Sequence, residues 1–491
     1  MTPTTEQEQI LHFARNERAN GLVNALAGTG KTTTIEMICH AIPDIPILYL
    51  AFNRRIVEEA KKRMPSHADC RTQNSLGHGV WSQAIARRLT VSTDKTRTIL
   101  NVIIGELKGA DKADARDGYT DILKLVQRAK RDGYVPPAWM EACPNLIYPD
   151  TDSWLEGLEE APSRLQMSLV NEALRRSIIA AYEAGIDFDD QIYMPVLFGG
   201  PWPKYPLVLI DEAQDWGPLG HRMLEHLVTQ RLIAVGDPWQ SIYAFKGAVC
   251  NGMSVLRERF AMEAFPLSTT WRVPKRGVER AQSRVPTYRA ADTNPEGEIF
   301  TLDEWGADTI PEHAAVLCRN NAPLLNLGLR LLRARKKIKM VGFDIGTGLV
   351  RIMRKFGHES MSGPAMTAAI DRWLNDQLLS AKKPEAAMDR ADCLRVLCAG
   401  KETLRDAIIF AEMLFRQDVG EILLMSGHKS KGLEFDVVFH LDPWRIPSKW
   451  AITEEALEQE LNLKYVIETR FKRALYLVDM KGFEGGGNGN N

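Results

Sequence analysis

Apolar residues recur along the chain in two patterns. Three short runs, 22–26 (apolar except for Asn24), 47–51 and 207–210, have the length of strands that are buried on both faces. A segment with helical spacing, 33–41, follows the first of these runs, and another helix follows the second. Because a repeated strand–helix order indicates parallel βαβ winding, the pattern predicts an α/β fold with parallel sheets.

A long helical region interrupts this alternation from about residue 81 to 185. Segments 99–107, 122–129 and 165–184 carry apolar residues at helical spacing. We therefore predict a helical insertion, with a basic side that we interpret as a solvated surface. The basic residues are Lys108, Lys112, Lys124, Arg128, Lys130 and Arg131.

A glycine-containing turn separates the first strand from the first βαβ helix. Gly28 and Gly30 allow a tight turn with inward-pointing N–H groups, and the following helix N-terminus adds partial positive charge. Lys31 can reach the β- and γ-phosphates of a nucleotide, and the Thr32 hydroxyl can ligate Mg²⁺. Ala25 replaces the first glycine of the usual phosphate-loop pattern. The predicted nucleotide contacts are Ala27, Gly28, Thr29, Gly30, Lys31, Thr32 and Thr33.

Two acidic residues, Asp211 and Glu212, follow the strand at 207–210. Charges at the end of an apolar strand are costly unless they meet a cation or water. Asp211 suits Mg²⁺ binding through a water, and Glu212 suits the base that orients or deprotonates an attacking water.

A further apolar strand, 232–235, leads into the polar and aromatic segment 236–247. Gln240 is a polar sensor candidate in this segment. Tyr243 and Phe245 stand two residues apart, so on an extended segment they point the same way and could flank one base.

Two further positions allow alternative interpretations. Gln7 either caps the helix that begins near Thr4, or recognises adenine through its amide. Phe52, followed by Arg54 and Arg55, either holds a nucleic-acid strand by stacking and phosphate contact, or is a core aromatic next to solvated arginines.

Composition adds few constraints. The 491 residues suggest two to four domains, and the net charge of −1 neither indicates nor excludes a nucleic-acid partner. The seven cysteines lack metal-site spacing, which suggests reduced thiols in a cytoplasmic protein. The polar N-terminus and the lack of long apolar runs predict neither a signal peptide nor a membrane contact. We expect residues 483–491 to form a disordered tail.

Several ordered segments together resemble superfamily 1 helicases of the UvrD/Rep/PcrA type. They span nearly the whole chain, from residue 4 to about 476. The segments are TTEQ at 4–7, AGTGKT at 27–32, IDFDD at 186–190, DEAQD at 211–215, GDPWQSIYAFKG at 236–247, LSTTWR at 267–272, GHKSKGLEF at 427–435 and NLKYVIETR at 462–470.

The resemblance implies two RecA-like P-loop domains with parallel sheets, with ATP between them and a helical insertion in each. The first core would comprise 1–75 and 185–262, with its insertion at 76–184. The second core would comprise 263–345 and 418–482, with a short insertion at 346–417 that carries helices at 366–379 and 404–415.

The resemblance also implies roles for individual residues. In the ATP site, Lys31 and Mg²⁺ (on Thr32 and Asp211) would neutralise the phosphates, Glu212 would handle the water, and Gln240 would sense the γ-phosphate. Arg272 and Arg470 would act as arginine fingers. The implied nucleotide contacts outside the loop are Gln7, Trp271 on adenine and Glu434 on the ribose. The implied DNA contacts are Phe52, Asn53, Asn74, His78, Tyr243, Phe245 and His428. Glu468 stands where relatives usually have a small or apolar residue.

The function implied by the resemblance is ATP-dependent unwinding of duplex DNA, with 3′→5′ movement on single-stranded DNA. Partners would be single-stranded and duplex DNA, together with replication or repair proteins such as a loader or a single-strand-binding protein. The location would be the cytoplasm, or the host cytoplasm if the chain is phage-encoded. One alternative is a translocase that strips proteins from single strands without processive unwinding. A binding module with an inactive ATP site is disfavoured by the intact Lys31, Asp211 and Glu212. An RNA substrate remains a further alternative.

Overall fold

A computed structural model describes residues 3–51, 53–158, 161–242, 252–341, 343–380, 384–415 and 420–483. The chain divides into two compact units, which are described separately. One comprises Met1–Leu26 and Gly30–Ser268, and the other comprises Ala27–Thr29 and Thr269–Asn491. Within the described ranges, every helix is too short or too polar to cross a bilayer.

The first unit is built on a six-stranded parallel sheet with the strand order β3-β2-β6-β7-β1-β8. A separate parallel pair joins β4 to β5. The strands are Gly21–Ala25 (β1), Ile47–Ala51 (β2), Ala68–Thr72 (β3), Thr90–Val91 (β4), Gly185–Ile186 (β5), Tyr205–Ile210 (β6), Val228–Gly236 (β7) and Glu263–Leu267 (β8). The α/β prediction with parallel sheets is confirmed.

Both faces of this sheet are covered. Along β2, Ile47 and Tyr49 pack into one hydrophobic cluster, while Leu48 and Leu50 pack into another. Alternate side chains of a strand point to opposite faces, so a strand covered on both faces must be apolar throughout. This arrangement accounts for the continuous apolar runs in the sequence.

Helices surround the sheet and form the insertion. The segments predicted at 99–107, 122–129 and 165–184 lie in α5, α7 and α10, as expected, whereas the short β4–β5 pair was not predicted. The helices are Thr5–Asn16 (α1), Lys31–Ala41 (α2), Arg54–Ala60 (α3), Gln73–Ala84 (α4), Lys95–Glu106 (α5), Gly109–Asp117 (α6), Tyr119–Asp132 (α7), Pro137–Met140 (α8), Thr151–Leu155 (α9), Arg164–Tyr182 (α10), Asp190–Phe198 (α11), Pro218–Leu227 (α12) and Gly252–Arg259 (α13).

Helix α4 follows β3 directly. Thr72 caps this helix by accepting a hydrogen bond from the Ser75 N–H. Gly77 serves close packing, because a Cβ at this position would lie 2.1 Å from the carbonyl oxygen of Gln191 on α11. The glycine is therefore needed where two helices approach each other, and not for a turn.

The second unit also contains a six-stranded parallel sheet, with the order β11-β16-β15-β12-β14-β13. Strands β9 and β10 form a separate parallel pair. The strands are Thr269–Thr270 (β9), Arg289–Ala290 (β10), Glu298–Leu302 (β11), Ala315–Cys318 (β12), Ile338–Met340 (β13), Ile422–Ser426 (β14), Phe435–Leu441 (β15) and Phe471–Val478 (β16).

Helices of the second unit include two that were predicted, at 366–379 and 404–415, and that form parts of α17 and α19. Helix α18 was not predicted, because small residues such as Ala387 and Ala391 on its buried side give a weak apolar period. The helices are Lys275–Gln282 (α14), Asn321–Arg333 (α15), Phe343–Met353 (α16), Gly363–Ser380 (α17), Pro384–Cys398 (α18), Leu404–Phe415 (α19) and Glu454–Glu468 (α20).

Two boundaries differ from the sequence interpretation. Strand β8 was assigned to the second core but pairs with β1, since Phe265 lies opposite Val23 in the first sheet. Phe483 was included in the expected tail but is buried edge-on against Trp305, at a centroid distance of 4.8 Å. Residues 484–491 lie outside the described residues.

Candidate active site

The phosphate-loop candidate is a left-handed turn followed by a helix. Gly28 and Gly30 have φ angles of 71° and 86°, a backbone region that favours glycine. Gly30 is the N-cap of α2, so Lys31 and Thr32 are the first residues of that helix. The N–H groups of the turn and the positive helix end provide the environment that suits phosphate. The Lys31 ammonium donates to the Ala25 carbonyl at 3.1 Å.

Asp211 lies at the carboxyl end of β6 and is almost completely buried. Its carboxylate accepts hydrogen bonds from the Tyr49 hydroxyl at 3.1 Å and from the Glu212 N–H at 2.8 Å. Burial and the Glu212 charge together raise the pKa of Asp211 to about 6, although the Lys31 charge opposes both effects. A bound cation would stabilise this desolvated carboxylate beside another acid. This is the behaviour expected of an Mg²⁺ ligand.

Glu212 is joined to Gln240 by hydrogen bonds. Glu212 has a positive φ of 51° and accepts a hydrogen bond from the Gln214 side-chain amide. Gln214 Oε1 accepts from the Asp237 N–H at 2.9 Å, and Asp237 Oδ2 accepts from Gln240 Nε2 at 2.6 Å. The candidate base and the candidate sensor therefore belong to one connected network. A Cβ at Gly236 would lie 2.5 Å from Gln214 Oε1, so this network requires glycine at that position.

Sequence reasoning assigned no role to Gln214 and Asp237. Both lie inside segments that it had singled out, DEAQD and GDPWQSIYAFKG. Both are buried. A buried polar side chain needs a hydrogen-bond partner, so polar residues within four positions of the end of an apolar strand were an available signal.

Gln7 forms the predicted capping interaction. Its Oε1 accepts from the Thr4 N–H at 3.0 Å, and Thr4 Oγ1 accepts from the Gln7 N–H at 3.2 Å. Its Nε2 donates to Thr34 Oγ1 on α2 at 3.0 Å. The capping interpretation is confirmed, and adenine recognition stays a prediction.

The magnesium expectation rests on few protein ligands. Among the described residues, no group of three or more His, Cys, Asp or Glu side chains is arranged to hold a metal ion. Thr32 and Asp211 nevertheless fit Mg²⁺, because this ion is commonly held by one or two protein oxygens together with phosphate oxygens of the substrate.

A second group of site candidates lies within the second unit. Arg272 Nη1 is 3.6 Å from Glu434 Oε2, and Arg272 Nη2 donates to the Thr469 carbonyl at 3.4 Å. Glu434 also pairs with Lys472 at 2.5 Å. Burial raises the pKa of Glu434, but Lys472 and Arg272 outweigh that effect, and the net pKa is lowered.

Arg470 follows the end of α20 and is held by backbone carbonyls. Its Nε donates to the Val466 carbonyl at 2.7 Å, and its Nη1 donates to the Leu433 carbonyl at 3.2 Å. The second unit therefore brings Arg272, Glu434 and Arg470 into one cluster. Trp271, beside Arg272, is 55% exposed.

The candidate DNA contacts of the first unit differ in their surroundings. Asn53 caps α3, since its Oδ1 accepts from the Ile56 N–H at 2.9 Å. Arg54 and Arg55 form i,i+4 pairs and have side chains 90% and 81% exposed, which matches the solvated interpretation. Phe52, Tyr243 and Phe245 lie outside the described residues.

Helix α4 carries two other candidates beside an exposed aromatic residue. Asn74 Nδ2 donates to the Phe188 carbonyl at 2.9 Å, and His78 Nδ1 lies 3.5 Å from Gln191 Nε2. Phe188 is 62% exposed. Phe188 was not among the DNA contacts predicted from the sequence. The signal was its position between two acidic residues in IDFDD, where a buried aromatic side chain is not expected. His428 lies in the second unit, in the 3₁₀ turn Gly427–Ser430.

One residue of the basic insertion surface was misinterpreted. Lys130 is completely buried, and its ammonium contacts Asp187 Oδ2 and Asp190 Oδ1, both at 2.7 Å. Lys95 also contacts Asp190, at 2.6 Å. The acids of the IDFDD segment therefore hold two lysines of the helical insertion, because buried charges require opposite charges nearby.

Comparisons with known proteins bear on both units. Residues 4–261 match the family model of the UvrD/REP helicase N-terminal domain, and residues 401–482 match that of the UvrD-like helicase C-terminal domain. F-box DNA helicase protein 1 of Schizosaccharomyces pombe is 23% identical to this chain, in an alignment that covers 97% of this chain and 57% of the relative.

Two further relatives give similar figures. F-box DNA helicase 1 of Gallus gallus is 23% identical over 96% of this chain and 49% of its own length. The ATP-dependent DNA helicase PcrA of Leuconostoc citreum is 23% identical over 72% of this chain and 52% of its own length. The chain thus spans about half the length of these curated relatives.

Proposed function

Because the chain belongs to the UvrD-like helicase family, we propose that it is an ATP-dependent DNA helicase that moves 3′→5′ on single-stranded DNA and unwinds duplex DNA. Membership confirms the resemblance seen in the motifs. The observation that carries the proposal is the network Glu212–Gln214–Asp237–Gln240, which joins the candidate base to the candidate sensor. It lies in the same unit as Lys31 and Asp211.

In this proposal, hydrolysis depends on positioning and on neutralising charge. The turn at 27–33 binds the phosphates through its backbone N–H groups, and Lys31 lies against the β- and γ-phosphates. Mg²⁺ held by Thr32 and Asp211 supplies further positive charge to the phosphate oxygens. Glu212 orients and deprotonates the attacking water.

Residues of the second unit complete the proposed reaction. Arg272 and Arg470 stabilise the charge that develops on the transferred phosphoryl group. Trp271 is available for stacking on adenine because its ring is exposed. Glu434 accepts from the ribose hydroxyl, and its carboxylate has lone pairs beyond those facing Arg272 and Lys472. Gln240 senses the γ-phosphate, and Gln7 reads adenine.

Single-stranded DNA is proposed to bind by base stacking and polar contacts. In the first unit, the exposed ring of Phe188 and the neighbouring Asn74 and His78 supply such contacts. The remaining proposed contacts are Phe52, Asn53, Tyr243, Phe245 and His428. The proposal includes a cytoplasmic location and interaction with replication or repair proteins.

A strand-displacement assay on tailed duplexes tests this function. The full chain is incubated with ATP and Mg²⁺ on duplexes with a 3′ or a 5′ single-stranded tail, and Lys31→Ala serves as the control. We expect displacement from the 3′-tailed duplex only, and none with the variant. Single-strand-stimulated ATP hydrolysis without displacement would instead favour the translocase, which the short second insertion also suits. Absence of both activities would overturn the proposal.

A further inference from the structure

Glu468 is a buried acid at the end of α20, in a position that the sequence interpretation left unexplained. It forms a bidentate pair with Arg280 on α14. Arg280 Nε donates to Oε2 at 2.7 Å, and Arg280 Nη2 donates to Oε1 at 3.0 Å. A fork-to-fork pair of this kind fixes both the distance and the orientation of the two groups.

The pair joins the two helices that lie next to the candidate arginine fingers in the chain. Helix α14 begins at Lys275, shortly after Arg272, and α20 ends at Glu468, two residues before Arg470. The Arg272 guanidinium also donates to the Thr469 carbonyl at 3.4 Å. One ion pair, in which Glu468 is buried and Arg280 is partly exposed, and one hydrogen bond therefore link the segments next to the two arginines.

Packing around the pair leaves little room for adjustment. A Cβ at Gly277 on α14 would lie 2.8 Å from the Phe471 ring, so this helix lies directly against the residue that follows Arg470. His440 on β15 is fully buried, and its Nδ1 is 3.4 Å from Glu468 Oε1. The same carboxylate thus contacts side chains from a helix and from the central part of the sheet.

The charge state of Glu468 agrees with this geometry. Burial by itself would raise the pKa of Glu468, but the adjacent His440 and Arg280 outweigh burial and lower the pKa to about 2. The acid is therefore ionised at neutral pH, and removing Arg280 would leave an uncompensated buried charge.

We propose that Arg280 and Glu468 act as a positioning pair that sets the spacing of Arg272 and Arg470 for phosphoryl transfer. This inference rests on the proposed ATPase function. In this proposal the two side chains bind each other and act on the nucleotide only indirectly. The pair acts through the segments that hold the two arginines, in the way that remote residues fix near-attack geometry.

The test is a double-mutant cycle on single-strand-stimulated ATP hydrolysis. The variants are Arg280→Gln, Glu468→Gln and the double variant of the full chain, assayed with ATP, Mg²⁺ and an oligothymidylate. Because misplacement of about 1 Å can cost on the order of 10²-fold, we expect kcat to fall by about that factor in each single variant. kcat and kcat/KM should fall together, since an interaction made only in the transition state is lost. The double variant should be no slower than the slower single variant.

A matched control lies one helical turn further along the chain. Arg284 also reaches α20, where it contacts Glu458 at 3.2 Å and Asn462 at 3.1 Å, away from the arginine segment. Arg284→Gln should retain the wild-type kcat. Arg280→Lys keeps the charge but loses the fork, so it should fold with wild-type thermal stability and still lower kcat.

The outcomes separate this proposal from the proposed function. If wild-type protein hydrolyses ATP and the folded Arg280 and Glu468 variants retain its kcat, the positioning role is wrong and the ATPase function stands. The positioning role would also be wrong if the losses of kcat in the two single variants multiplied in the double variant. It would be wrong as well if Arg284→Gln lowered kcat as much as Arg280→Gln does. A wild-type protein without stimulated ATPase would overturn both proposals.

Discussion

The hydroxyl of Tyr49 donates a 3.1 Å hydrogen bond to Asp211, which joins the middle of β2 to the carboxyl end of β6. Both residues are buried, so the carboxylate is held where little water can solvate it. Burial and the neighbouring Glu212 keep the pKa of Asp211 near 6. The ionised form of the proposed Mg²⁺ ligand is therefore destabilised in the folded protein, and a bound cation would stabilise it.

A pH dependence of stability follows from this environment. The pKa of Asp211 is higher in the folded protein, about 6, than its ordinary value of 3.8, so the folded state binds this proton more tightly. The stability that Asp211 contributes is present below pH about 4 and is lost as pH rises through about 6. Asp211→Asn removes this titration, so the variant should become more stable relative to wild type across that window. Urea unfolding of both proteins over a pH series measures the difference, and a constant difference would contradict the account.

Glu212→Gln should separate ATP binding from hydrolysis. The amide keeps the shape of the carboxylate but cannot accept a proton from water, so kcat should fall on the order of 10²–10⁴-fold while nucleotide affinity is retained. Steady-state turnover and equilibrium binding of a fluorescent ATP analogue provide the two measurements. The control is Glu225→Gln, which alters an acid paired with Arg222 and Arg259 on the surface of the same unit. Full turnover by Glu212→Gln would remove this residue from the mechanism.

Lys130→Met should destabilise the first unit strongly. The substitution leaves Asp187 and Asp190 buried without one of their counter-charges, and breaking a buried pair in this way typically costs about 3–5 kcal/mol. Lys124→Met is the matched control, since Lys124 pairs with Asp121 at the surface and its side chain is 68% exposed. The control should change the free energy of unfolding by no more than about 0.5 kcal/mol. Denaturant unfolding measures both variants, and equal effects would show that burial of Lys130 is unimportant.

Phe188→Ala should weaken binding of single-stranded DNA. Phe188 is exposed and its carbonyl accepts a hydrogen bond from Asn74, another proposed DNA contact. Loss of one stacked base is worth about 1–3 kcal/mol, or on the order of ten- to a hundredfold in Kd. Phe300→Ala serves as control, because Phe300 is a partly exposed aromatic on β11 of the second unit that stacks on Tyr476. Fluorescence anisotropy with a labelled oligothymidylate measures both affinities. An unchanged Kd for Phe188→Ala would exclude this ring from the DNA contact.

Local features of the chain could be predicted from sequence because their cause is also local. The continuous apolar runs predicted the strands β1, β2 and β6, since a strand covered on both faces has no polar side. The glycines at 28 and 30 predicted a tight turn, and both have positive φ. Thr4 and Gln7 predicted a capped helix start, which the hydrogen bonds reproduce.

Features that depend on distant partners could not be predicted in this way. The requirement for glycine at position 77 comes from its close approach to Gln191, which lies far along the chain. Lys130 resembled a surface lysine because its partners, Asp187 and Asp190, lie across the insertion. Glu468 remained unexplained because Arg280 meets it only in the folded second unit.

The most direct test of the central claim is ATP turnover by the full chain, with Mg²⁺, in the presence and absence of single-stranded DNA. Single strands should stimulate hydrolysis in the wild-type protein, and Lys31→Ala should abolish it. Stimulated hydrolysis that persists in Lys31→Ala would contradict the assignment of the ATP site.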